Sequence, residues 1–119
     1  MSQHHLMVIG AERVDAPEAD EVRSPYDGRV LGTVPVGTTE HLDAAIATAT
    51  ATLAAGPLPT HERAAILDRL AAALADRHEE FAQSISAEAA KPIAAARVEA
   101  SRAVDTARFS AAVARTMTS

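Results

Sequence analysis

The sequence predicts a mainly α-helical chain led by short β-strands, and two observations carry that prediction. Up to residue 37 the chain is rich in Val, Gly and Pro, with short apolar runs divided by turn-forming residues. At Thr38-Thr39 the composition changes to Ala, Leu and charge, and apolar residues recur at the three- and four-residue steps of a helix. Residues 1–37 therefore read as short strands and residues 38–119 as helices, all within one small domain.

The runs Leu6–Ile9 and Val30–Val36 read as strands. Between Glu21–Arg23 and Arg29–Val34, the segment Ser24-Pro25-Tyr26-Asp27-Gly28 sets a proline of fixed φ before a glycine that tolerates positive φ, which predicts a hairpin-like reversal. Either Thr38 or Thr39 can cap the first helix, whose residues Leu42, Ala45, Ile46, Ala49 and Leu53 share a face. Gly56-Pro57 stops that helix near Ala55. Thr60 is the expected cap of the next helix, with the stripe Ile66, Leu67, Leu70 and Leu74 continuing through Phe81 and Ile85. Asp76 with Glu79 resembles a capping box, which favours two helices interrupted around Asp76–His78 over one long helix. Ala90-Lys91-Pro92 breaks the run, and Pro92 then enters the first turn of a last helix that reaches about Arg115.

Composition limits function. Hydrophobic residues make up 48% of the chain but aromatic residues only 3%, so the apolar content is largely alanine. Full burial of a Leu or Phe stabilises by about 1.5–3 kcal/mol, whereas Ala brings one methyl group, so this helical layer is expected to lean on a second copy or on further domains. The net charge of −5 argues against a basic surface for nucleic acid or anionic membrane. No run approaches the roughly 18 apolar residues of a membrane span, and Met1–His5 lacks the order of a signal peptide; a cytoplasmic protein is expected. With no cysteine, the chain has neither disulfides nor a thiolate nucleophile.

Few residues fall in a pattern that carries chemistry. His4-His5, His41, His61 and His78 are scattered with no pair at i, i+4, and read as solvated surface residues rather than metal ligands. Gly28, Gly32 and Gly37 are separated by bulky residues and do not read as a strand-to-helix dinucleotide loop. One constellation stands out on the last helix: Glu99, Arg102, Ala103, Thr106 and Ser110 share an arc, a polar stripe with a cation at its middle. Such a stripe can line a channel, or it can be a wet face held by Glu99–Arg102 and Arg102–Asp105 ion pairs worth a few tenths of a kcal/mol each.

The order of segments carries a resemblance. Val22-Arg23-Ser24-Pro25-Tyr26-Asp27-Gly28-Arg29-Val30 resembles the opening hairpin of the aldehyde dehydrogenase superfamily. Thr39-Glu40-His41-Leu42-Asp43-Ala44-Ala45 and His61-Glu62-Arg63-Ala64-Ala65-Ile66-Leu67 look like its first two helices. Glu88-Ala89-Ala90-Lys91-Pro92 is similar to the family's acidic-x-Gly-Lys-Pro junction, with Ala90 in place of the glycine. Four weak motifs in order, from about Leu6 onward, make chance an unsatisfactory explanation.

The resemblance implies a partial aldehyde dehydrogenase fold of the α/β class, with residues 1–119 forming the outer, N-terminal part of the cofactor-binding domain. In the complete enzyme it implies NAD or NADP, a cysteine thiolate attacking the aldehyde and a glutamate-activated water completing hydrolysis to the acid. No residue here matches a catalytic or cofactor-binding position, so the chain alone is expected to be inactive. Glu88, with the backbone carbonyl of Val22, matches a monovalent-cation site; a structural carboxylate bonding nearby amides is the alternative. Arg102 matches a substrate contact in the subgroup acting on phosphonoacetaldehyde or, without phosphorylation, on glyceraldehyde 3-phosphate, which points to an anionic aldehyde. A homo-oligomer or association with missing domains is expected. The competing readings are a truncated binding or dimerisation module and a non-functional remnant.

Overall fold

In the computed structural model, which describes residues 3–117, the Pro-Gly reversal forms where its spacing predicts. Strands β4 (Ala19–Arg23) and β5 (Val30–Pro35) pair antiparallel around it, with a register shift at Val22/Arg23. The Ser24 N–H donates to the Arg29 carbonyl (2.9 Å), the Gly28 N–H donates to the Ser24 carbonyl (2.9 Å), and Gly28 takes a φ of +74°. Three further strands lie in the same part of the chain: β1 (Gln3–His4), β2 (Met7–Ile9) and β3 (Glu12–Val14). Strand β1 adds parallel to β5, giving the order β1-β5-β4, while β2 and β3 form a separate hairpin. Gly32 is needed here because a Cβ would lie 2.7 Å from the Gln3 carbonyl oxygen.

Two units divide the chain, Met1–Pro57 and Leu58–Ser119. The first contains the strands and helix α1 (Thr39–Ala54). Thr38, not Thr39, is the cap. The His41 N–H donates to its Oγ1 (3.4 Å) while the Thr38 N–H donates back to His41 Nδ1 (3.1 Å), a reciprocal box with histidine in the glutamate's role. The helix ends at Ala54 and Gly56 takes the positive φ that a side chain resists. No residue of α1 is buried, and its large apolar face of Leu42, Ile46 and Leu53 is exposed.

The second unit contains α2 (Thr60–Asp76), α3 (His78–Ala89) and α4 (Ile93–Thr116), with α4 packed along both of the others. Its core is a seam of small side chains. Ala96, Ala100, Val104, Ala107, Ala111 and Ala114 form the buried face of α4, against Ala64 and Ala71 of α2 and Ala82 of α3. No large side chain is fully buried among the described residues. The stripe on α2 divides: Leu74 packs on the seam, while Ile66 and Leu70 are exposed. Leu and Ile were legible as apolar, but alanine permits the closer helix approach and so decides which face turns inward.

The α2–α3 interruption falls at Arg77, within the expected window, but two expected caps do not form. Pro59 holds an extended ψ of 147°, so Thr60 is already helical and no side chain caps α2. Asp76 is the last residue of α2, and Glu79 instead accepts two hydrogen bonds from the Arg97 guanidinium (2.8 and 2.9 Å) and one from Gln83 (2.9 Å). Ala90 ends α3 in the left-handed region, φ 52° and ψ 30°. Pro92 stands at the cap of α4, one residue before its first turn. Among the described residues, no helix is long and apolar enough to cross a membrane.

Left-handed backbone costs an L-residue about 1–2 kcal/mol, and the greater freedom of an unfolded glycine offsets part of that, so Ala90→Gly is expected to stabilise by about 0.5–1 kcal/mol. Denaturant titration checks this, and a loss of stability contradicts the cap. The Glu79 carboxyl is held down from the usual 4.5 to about 2, mainly by the Arg97 hydrogen bonds and then by Gln83. A depressed acid stabilises the fold fully above its unfolded value and loses that contribution as pH falls toward the folded one. Stability of Glu79→Gln should therefore decline less than the parent's between pH 4.5 and about 2, and equal declines would speak against the pairing.

Candidate functional site

Helical geometry positions the candidate cation. With Ala100 and Val104 turned into the seam, a residue midway between them lies about 200° from each and must face outward. Arg102 is that residue, and it is exposed. It borders a shallow basin of about 410 Å³ shared with Lys91, Ala95, Val98 and Glu99. Lys91 and Glu99 form an ion pair across the break between α3 and α4. Ser86 Oγ donates to the Lys91 carbonyl (2.7 Å), which ties the break to the last turns of α3.

The two ion pairs expected for Arg102 are not formed. Glu99 is taken by Lys91, and Asp105 lies 3.7 Å from Arg108. Among the described residues no carboxylate lies within salt-bridge distance of Arg102, whose backbone carbonyl accepts a hydrogen bond from Thr106 Oγ1 (2.9 Å). The guanidinium fork is thus available to an external anion.

The polar stripe itself divides. Glu99 and Arg102 line the basin, whereas Thr106 and Ser110 line a second groove of about 540 Å³ with Arg63, Leu67, Phe109 and Met117. Arg63 Nε is buried there without a hydrogen-bond partner among the described residues. From the sequence, Lys91 reads as part of a helix break and of the acidic-x-Gly-Lys-Pro junction, with no link to Arg102. It joins Arg102 through a non-helical junction, so helical spacing holds no sign of it.

The remaining expected residues are not among those lining the basin. Val22 is half-buried on β4 in the first unit, at the register shift, and Glu88 is exposed near the end of α3 in the second. No group of three or more His, Cys, Asp or Glu side chains able to hold a metal gathers among the described residues. Three of the histidines are structural rather than merely solvated. His4 Nε2 contacts Asp15 (3.0 Å) and its Nδ1 contacts Thr33 (2.8 Å); His41 completes the α1 cap; His78 Nε2 reaches the Arg97 carbonyl (2.9 Å) and Ser101 (3.0 Å).

Gly37 does connect β5 to α1, contrary to the sequence reading, but it is a lone glycine whose added Cβ would meet only Met7 Sδ at 3.7 Å. The Thr38 side chain already takes an amide at that helix start.

Comparison with known proteins gives a consistent picture. The family model described as aldehyde dehydrogenase family matches residues 13–119. The aldehyde-dehydrogenase-like protein y4uC of Sinorhizobium fredii is 42% identical over 91 residues, which is 76% of this chain and 18% of that protein. The NAD-dependent aldehyde dehydrogenase of Sinorhizobium meliloti superposes with a TM-score of 0.91 at 31% identity, covering 98% of this chain and 24% of its own. Aldehyde dehydrogenase 21 of Physcomitrella patens, solved in complex with the reaction product succinate, gives a TM-score of 0.88 at 32% identity over 94% of this chain and 24% of its own. The chain thus spans no more than about a quarter of the length of these relatives.

Proposed function

The chain belongs to the aldehyde dehydrogenase family, and we propose that it forms the N-terminal part of the cofactor-binding domain of an NAD(P)-dependent enzyme oxidising an anionic aldehyde to its acid. The match over residues 13–119 supports the reaction class. The observation that carries the substrate class is Arg102, exposed at the basin and without a carboxylate partner among the described residues. Succinate in the Physcomitrella enzyme supports the same reading, because that product carries a second carboxylate besides the one oxidation makes.

In this reading Arg102 grips the far end of the substrate. Its planar fork donates two parallel hydrogen bonds to a carboxylate, phosphonate or phosphate, which fixes the distance and direction at which the aldehyde carbon is presented. NAD(P), when bound in the complete enzyme, accepts the hydride. The 119 residues include no cysteine, so attack on the aldehyde carbon is assigned to other parts of that enzyme. The Glu88 carboxylate and the Val22 carbonyl are each an oxygen donor of the kind a hard monovalent cation takes, and a cation role for either one is part of this proposal. The exposed faces of α1 and α4, with Leu53 at 82% and Phe109 at 73% exposure, are where the rest of the fold or a second subunit packs.

A reading without catalysis, as a binding or dimerisation module, draws on those same faces. The purified 119-residue chain is expected to produce no NAD(P)H from any aldehyde, and turnover that depends on this chain would contradict the assignment. In a complete aldehyde dehydrogenase carrying this segment, Arg102→Ala should lower kcat/KM for anionic aldehydes about 10- to 100-fold more than for neutral ones, the loss expected for one charge-assisted contact. Equal losses on both substrate types would reject the contact.

A further inference from the structure

We infer that Glu99 sets the charge selectivity of the basin: by holding the Lys91 ammonium it leaves Arg102 as the available cation and tunes the site to singly over doubly charged anions. The inference rests on the reading of Arg102 as the substrate contact. The charged groups lining the basin are Lys91, Arg102 and Glu99, two cations and one anion, with a net charge of one. Lys91 and Glu99 are paired, so an incoming anion meets one guanidinium and one neutralised pair.

The neighbouring charges do not alter that balance. Arg97 is engaged by Glu79 through two hydrogen bonds, and Asp105 by Arg108 at 3.7 Å. One carboxylate matches one guanidinium fork in both charge and geometry. A doubly ionised phosphonate gains from a second cation, and among the described residues the other one lining the basin is Lys91, which it must draw away from Glu99. Glu99 is therefore a competitor anion built into the site. It stands one helical turn from Arg102 on the same arc, near enough to repel surplus negative charge without sealing the fork.

The charge count predicts an order among variants. Glu99→Gln keeps the side-chain shape, frees Lys91 and leaves two net positive charges. Lys91→Met leaves Glu99 unbalanced and the net charge at zero, while the double variant restores the parental value of one. The experiment measures kcat/KM for three aldehydes, one neutral, one bearing a carboxylate and one bearing a doubly ionised phosphonate, in a complete aldehyde dehydrogenase carrying this segment.

Normalised to the neutral aldehyde, the phosphonate-to-carboxylate ratio should rise about tenfold in Glu99→Gln, return to the parental value in the double variant and fall below it in Lys91→Met. Added salt should erode the rise. A ratio that stays constant across all three variants, or one that rises and is not reversed by Lys91→Met, overturns the inference. Arg102→Ala separates the two levels. If it selectively impairs both anionic substrates while the ratio stays constant, Arg102 remains the contact and Glu99 is only a helix tie; if it impairs neutral and anionic aldehydes alike, the substrate reading falls and this inference with it.

Discussion

The alanine seam of α4 is the constraint on which the second unit depends. Ala96, Ala100, Val104, Ala107, Ala111 and Ala114 recur at three- and four-residue steps, so one face of the helix is small along its whole length. Helices meeting along small side chains approach more closely than helices separated by Leu or Phe, and the dispersion contacts then come largely from backbone and Cβ atoms. The apolar area each alanine removes from water is modest, and a core without one fully buried large side chain among the described residues has little to spare. The same seam fixes the outward direction. Once Ala100 and Val104 face α2 and α3, Arg102 has no inward option, and Val98, Phe109 and Val113 are exposed with it.

A second constraint acts at the α3–α4 junction. Ala90 reverses the chain in a conformation that favours glycine, Pro92 starts the new helix without needing an amide partner, and Lys91 between them has its carbonyl held by Ser86 Oγ. The strain at Ala90 persists because the residues on either side over-determine it: the seam sets the direction of α4, and the Lys91–Glu99 pair clamps its second turn. Tight reversal and charge placement are thus one feature. A looser junction would release Lys91 from Glu99 and change the electrostatics beside Arg102.

Helix ends were legible wherever the sequence is punctuated. Gly56-Pro57 and Lys91-Pro92 fall at observed boundaries, because glycine and proline act through backbone sterics that tertiary contacts seldom override; the Asp76–His78 window also holds a boundary, without glycine or proline to set it. Side-chain caps were less legible. The Asp76–Glu79 box failed because the Arg97 guanidinium, distant in sequence, binds Glu79 more strongly than a local amide would. Strands β1 and β3 escaped notice because runs of two or three mostly polar residues carry no alternation to read. On α2 the eye follows Ile66 and Leu70, yet Ala64 and Ala71 form the contact; patterns of large residues mark what is apolar, and only the partner decides what is buried.

The site was half legible for a related reason. Spacing alone ranks Glu99 and Asp105 as partners of Arg102, since each lies three residues away on one helix face. Both carboxylates find another cation, Lys91 across the junction and Arg108 on the same helix, and an exposed side chain with several near-equal options settles on the pairing its geometry permits. Where a surface arginine is paired with a carboxylate, an external anion must displace that partner. Arg102 lies among carboxylates that are already engaged, so an incoming anion breaks no internal pair to reach it. Under the proposed substrate contact, that is what separates an outward-facing arginine on an alanine-packed helix from one already held in an internal pair.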